Sequence, residues 1–235
     1  MKHILSLRTA LVIFLTAALA AISCKKDDSI IYGYQGIGTV SGADIILDNG
    51  IRAIVRNIQC DGSYVDCERI FILCDLLKKE DPSTYSINLR DWSRVLTKPF
   101  LTAGEVEDWD AIGDDPIDII SGWNGGKYLN LDLLFSFKAD SETSHFLNLI
   151  YEDGESDADT LRFTLRHNSY GESYPHISED DVRFGRAYAS FPIADLIPEG
   201  QDAIGVNVTY KWHSSDAGHL IPETETHHLR GSIRR

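Results

Sequence analysis

The sequence predicts an all-β protein of two β-rich modules in series, the second a β-sandwich. Three observations predict it. Residues 127–137, KYLNLDLLFSF, alternate over most of their length, with Leu129, Leu131, Leu133, Phe135 and Phe137 on one face and Tyr128, Asn130, Asp132, Leu134 and Ser136 on the other. That period of two is a strand with one buried face. Asp48-Asn49-Gly50 separates two extended runs within residues 36–55, a hairpin signal because Asn and Gly tolerate the positive φ of a tight turn. Short strand-like runs then recur at regular spacing with turn residues between them and few helix signals, as in a sandwich.

In chain order, residues 10–22 come first. They are mostly apolar, follow Lys2 and Arg8, and end in small residues before Ser23 and Cys24. A spanning helix needs ~20 apolar residues, so this run is too short. A basic start, apolar middle and small exit are the layout of an export signal, expected here at residues 1–23. Its removal takes away Lys2 and Arg8 and moves the formal charge from −14 to −16. Such a surface repels phosphates, which excludes nucleic acid as a partner, and it argues against electrostatic adhesion to anionic lipid. No later stretch approaches the ~18 apolar residues of a spanning helix, and the length fits one large or two small domains.

A lone cysteine straight after such a signal resembles a bacterial lipobox. Ala21, Ile22 and Ser23 occupy the three preceding positions, with Ala21 where Leu is commoner. The resemblance implies that the Cys24 thiol is alkylated by a diacylglycerol and that its new amine is acylated after cleavage. Each buried methylene contributes about 0.8 kcal/mol, so one chain anchors marginally and two or three hold firmly. Lys25, Lys26, Asp27 and Asp28 are similar to the surface-export signal of Bacteroidetes lipoproteins. Residues 24–32 are therefore expected as a lipidated tether, at the outer membrane and facing the cell exterior.

The first module is expected over residues 33–110. Within it, residues 69–77, RIFILCDLL, form a continuous apolar run, as in a strand buried on both faces. The changeover is placed within residues 107–116, where Gly, Pro and Asp cluster. The second module is expected over residues 116–235. Residues 145–167 read as strand, acidic loop, strand; residues 203–212 alternate again; residues 193–200 read as one helical turn.

Chemistry-bearing residues are sparse. Cys67 and Cys74 read as one strand, too far apart for a bond. Cys60 and Cys67 flank DGSYVD; with Ser63-Tyr64 at a hairpin tip they would face each other and could oxidise outside the cytoplasm. The rival reading is three small buried hydrophobes. The histidines at 145, 167, 176, 213, 219, 227 and 228 are scattered without HExxH spacing and read as surface or capping groups. The alternating acids Asp153, Glu155, Asp157 and Asp159 lack the EF-hand glycine placement and read as a solvated hairpin tip. No GxSxG elbow and no GxGxxG before a helix is present. No catalytic residue, metal site or cofactor is therefore expected. Trp92, Trp109 and Trp123 cluster near the changeover; exposed, they could grip a sugar or a partner, and buried, they are packing.

The lipobox with its charged leash, DCERIFILCDL in the first module, and IGDDPIDIISGWNGGKYLNLDLLFSF opening the second together resemble the NigD-like lipoproteins of Bacteroidetes. GWNGGKYLNL, residues 122–131, is the most specific part. The resemblance implies an OB-like barrel followed by a β-sandwich, and a role in bacteriocin immunity with no catalytic residues attached. The expected function is a non-catalytic binding protein at the cell surface, held by its lipid anchor and recognising a peptide or protein; the alternative is a glycan-binding accessory lipoprotein.

Overall fold

The turn at Asp48-Asn49-Gly50 forms as expected in the computed structural model, which describes residues 30–154, 160–197, 199, 204–216 and 219–233, with backbone alone beyond Trp212. Gly50 takes φ +84°, its N–H donates to the Leu47 carbonyl at 2.8 Å, and the Asn49 side chain accepts from the Ile51 N–H. The turn joins β2 (Asp44–Leu47) to β3 (Arg52–Ile58). The export signal, Cys24 and its tether up to residue 29, and acidic residues 155–159 lie outside the described residues.

The first module is a closed barrel of β1 (Ile31–Ser41), β2, β3, β4 (Arg69–Asp81) and β5 (Thr84–Arg94), in the order β1-β2-β3-β5-β4. β3 runs parallel to β5, and β4 closes antiparallel on β1. This is the strand order of an OB-fold. Inward-facing Ile45, Ile70, Ile72, Cys74, Ile87 and Leu89 are fully buried. Burying each such aliphatic side chain contributes roughly 1.5–3 kcal/mol.

The topology decides between the two readings of the loop that holds Cys60 and Cys67. β3 pairs with β2 and β5 and not with β4, the next strand in the chain, so residues 59–68 are a crossover loop and Ser63-Tyr64 is no hairpin tip. Cys60, Cys67 and Cys74 are free thiols. Tyr64 is buried and its hydroxyl donates to the Ala43 carbonyl at 2.6 Å, pinning the loop to the barrel. Burial pushes the Cys74 thiol up to about 12, the behaviour of a small core hydrophobe.

The second module is a sandwich. One sheet is ordered β14 (His219–Ile233), β13 (Ile204–Asp216), β11 (Thr160–Asn168), β10 (Phe146–Tyr151), β7 (Leu101–Thr102). The other is ordered β6 (Leu96–Thr97), β12 (Val182–Pro192), β9 (Tyr128–Lys138), β8 (Asp118–Gly125). Leu129, Leu131, Leu149, Phe163, Phe191 and Val208 fill the space between them. The helical turn read at residues 193–200 appears as a 3-10 turn at Ala194–Leu196. A second turn, α1 (Trp109–Ile112), is capped by the Asp108 carboxylate, which accepts two N–H groups that the first turn leaves unpaired.

The changeover falls earlier than residues 107–116. β6 pairs with β12 and β7 with β10, so the chain leaving the barrel gives one short strand to each sheet of the sandwich. Two-residue strands carry no readable period, and the Pro99 between them reads as a break.

β9 departs from its expected one-sided burial. Its leucine face enters the sandwich core, but Tyr128, Asn130, Asp132 and Ser136 on the other face are also buried. Tyr128 and Asn130 on that face meet the barrel at Glu68, Asp48 and Arg69.

Candidate functional site

Arg69, at the start of β4, is the largest fully buried side chain among the described residues, 1% exposed. Its Nε donates to Ser190 Oγ (2.9 Å), its Nη1 to Thr39 Oγ1 (2.9 Å), and its Nη2 to both Asp48 oxygens (2.8 Å) and Asn130 Oδ1 (2.9 Å). Asn130 in turn donates to Asp48 (2.8 Å) and accepts from Ser190 Oγ (2.6 Å). Thr39 and Asp48 belong to the barrel, Asn130 and Ser190 to the sandwich. One planar fork thus joins the two modules, and each buried polar atom around it is satisfied. The guanidinium also lies 4.1 Å over the Tyr128 ring. Burial and a hydrogen bond to Glu68 push the Tyr128 hydroxyl up to about 12, so it stays protonated and donates at 2.6 Å.

GWNGG explains itself at this junction. Gly126 turns the β8–β9 hairpin with φ +62°. Gly125 is packed so closely on Asp48 and Asn130 that a Cβ there would overlap the carboxylate and the amide. Gly125→Ala is therefore expected to destabilise the protein by roughly 1–3 kcal/mol, the range for overpacking, and thermal unfolding checks it.

Beside the junction a cleft of about 420 Å³ opens between the modules. The barrel contributes Tyr34 and Phe71; the sandwich contributes Trp123, Asp132, Arg186 and Tyr188. Phe71 and Tyr188 stack across the module boundary, centroids 4.8 Å apart and planes 8° from parallel. Trp123 meets Tyr188 edge-on at 6.3 Å. Asp132 accepts from Arg186 Nε at 2.7 Å and Nη2 at 2.5 Å, and this pairing raises the Arg186 pKa further. The arrangement offers aromatic rings and paired planar polar groups on a fixed frame.

A second cavity, about 390 Å³, lies between the sheets and is mostly apolar, walled by Leu96, Ile117, Leu133, Phe135 and Phe137 with His145 and His167 among them. His167 corrects the expectation of surface histidines: it is 2% exposed. It follows Leu161, Phe163 and Leu165 on the inward face of β11, a register visible in the sequence. Burial and the neighbouring His145 ring hold its pKa down to about 4. His213, His219, His227 and His228 lie on β13 and β14 beyond the described side chains. Among the described residues no cluster of three or more His, Cys, Asp or Glu could hold a metal ion.

The three tryptophans are not brought together. Trp123 lines the cleft. Trp92 packs against Tyr64 in the barrel, and Trp109 lies under the Arg166 guanidinium. Sequence reasoning missed Phe71, Tyr188 and Arg186. Arg186 and Tyr188 share the i, i+2 face of one strand, but nothing in the sequence pairs that face with β4.

The family model for the NigD-like C-terminal beta sandwich domain matches residues 99–220. No curated protein matches the chain. Among solved structures, the chain is similar to a NigD-like immunity protein from Bacteroides caccae (18% identity, TM-score 0.59, 85% of this chain and 93% of that one). It is also similar to a protein of unknown function from Bacteroides vulgatus (23% identity, TM-score 0.57, covering 86% and 93%). A candidate lipoprotein from Bacteroides fragilis shares 13% identity with a TM-score of 0.61, covering 82% and 96%. At these identities the likeness is one of fold.

Proposed function

The chain belongs to the NigD-like family through its C-terminal β-sandwich domain, and from that premise we propose a lipoprotein that binds and does not catalyse, with its ligand in the cleft between barrel and sandwich. Cys24 carries the lipid, and the two modules stand outside the outer membrane. The observation that carries the reading is the cleft itself. Both modules build it, the Arg69 network fixes their relative position, and Asp48 and Asp132 are already paired with arginines 2.8 and 2.5 Å away. Such carboxylates are suited to orienting a ligand, because each is fixed in place by a guanidinium fork. Immunity to a toxin at the cell surface would need no more than binding of this kind.

Growth with a palmitate analogue tests the anchor: the wild-type chain is expected to be labelled and Cys24→Ser unlabelled. Protease added to intact cells is expected to digest the wild-type protein. A labelled Cys24→Ser chain would remove the anchor, and protection in intact cells would place the modules on the inner side.

A further inference from the structure

We infer that the interdomain cleft takes a neutral saccharide chain, an inference that rests on the reading of the cleft as the binding site. Three features of the cleft point to this class of ligand.

The first is the aromatic wall. Trp123 and Tyr188 stand at 73° to each other, and Phe71 backs Tyr188 from the barrel side. Sugar rings carry an apolar C–H face, which packs on aromatic rings, and an equatorial rim of hydroxyls, which does not. Phe71 stacks on Tyr188 and the Arg186 guanidinium lies 5.5 Å from its centroid, so Trp123 is the ring left to meet a sugar face and Tyr188 adds its edge.

The second is charge. The chain carries a formal −14, yet the cleft's two carboxylates are each matched by a guanidinium, Asp48 by Arg69 and Asp132 by Arg186. A cationic peptide would find no free carboxylate on these walls, and an anionic ligand would approach against the net charge of the whole chain. A neutral, hydroxyl-rich ligand meets neither obstacle.

The third is the set of polar groups. Arg186 uses Nε and Nη2 on Asp132, and its Nη1 has no hydrogen-bond partner among the described residues; the side chain is 57% exposed. Gln35, Asn49 and Asn124 add amides to the lining. Guanidinium, carboxylate and amide groups are planar and bidentate, which suits pairs of neighbouring hydroxyls. The volume, about 420 Å³, lies within the ~300–1,000 Å³ of small-molecule sites.

The test uses the mature chain with Cys24→Ser, titrated by calorimetry with short neutral oligosaccharides (gluco-, manno-, galacto- and xylo-series) and, separately, with a lysine-rich peptide. At least one oligosaccharide is expected to bind, with an affinity that changes little between low salt and about 0.5 M NaCl. Tyr188→Ala and Trp123→Ala are each expected to weaken it about tenfold or more, while Trp123→Phe retains most of it and circular dichroism stays unchanged. Binding of the peptide alone, salt-sensitive and lost in the same variants, would overturn the saccharide and leave the cleft as the site. Saccharide binding that both alanine variants leave intact would overturn the cleft. No binding by any oligosaccharide of the panel would overturn the ligand class.

Discussion

Arg69→Ala is expected to destabilise the protein by about 3–5 kcal/mol, the range for breaking a buried ion pair from one side. The loss is large because the substitution leaves charge behind. Asp48 would keep a carboxylate, only 11% exposed, with Asn130 as its remaining side-chain partner at the junction. Thr39 and Ser190 would each lose an arginine donor. Arg69→Lys should recover only part of the stability, since one ammonium cannot reach four side chains in three directions as the fork does. Arg69→Met combined with Asp48→Ala should be less damaging than the sum of the two single changes, because the orphaned charge goes with its partner. The modules are also expected to part company. Urea unfolding followed by tryptophan fluorescence should pass from one transition in the wild type to two in Arg69→Ala. A single, unshifted transition in the variant would show that Arg69 does not couple them.

That junction also marks where the sequence stops being legible. The strands of the sandwich follow from period-two alternation, and the β2–β3 turn follows from Asn49 and Gly50, because these signals are local. β9 shows the limit. Its two faces are assigned correctly by alternation, yet alternation cannot say that Tyr128, Asn130 and Asp132 will be covered by another module. Arg69 opens the apolar run of residues 69–77, and nothing local says that its charged end will be buried, 1% exposed. Whether a polar residue is exposed or buried and satisfied depends on partners 61 and 121 positions away. The cleft is hidden for the same reason: Phe71 and Tyr188 stack only because the barrel docks on β12. The glycines of GWNGG are legible as a turn before an alternating strand, but the close approach of Gly125 to Asp48 and Asn130 is not. The sequence leaves residues 59–68 open between hairpin and crossover because the placing of β4 beside β5 and β1, away from β3, is a property of barrel closure, not of those ten residues.

Acid is expected to destabilise the sandwich well before its carboxylates are protonated. The Pro116 carbonyl can only accept, so His167 Nδ1 donates to it at 3.1 Å. In the neutral ring His167 Nε2 is then the acceptor and takes the proton of His145 Nδ1 at 2.9 Å. His145 Nε2 is left buried, with no hydrogen-bond partner among the described residues. Both rings resist a proton: both His167 nitrogens are engaged in hydrogen bonds inside the sandwich, and burial lowers the His145 pKa as well. Asp115 and Glu172 pull the other way but do not reverse the shift. The unfolded chain takes up its proton near pH 6.5 and the folded chain, at His167, only near about 4, so between those values the unfolded state binds more protons and stability rises with pH. The contribution of His167 is complete above about pH 6.5 and diminishes as the pH falls, by roughly 3 kcal/mol at pH 4. Asp115 does not share this window. Burial raises its pKa, but the Ser169 N–H and hydroxyl bonds bring it below the usual carboxylate value, so its own loss comes at lower pH. The check is urea unfolding at a series of pH values from 7.5 to 4 in the wild type and in His167→Leu, which fills the inward position of β11 without a titrating group. The variant will be less stable at neutral pH, having lost the bond to Pro116, but its stability should vary much less across the window. An equally steep decline in His167→Leu would assign the acid sensitivity to other groups and leave the histidine pair as packing alone.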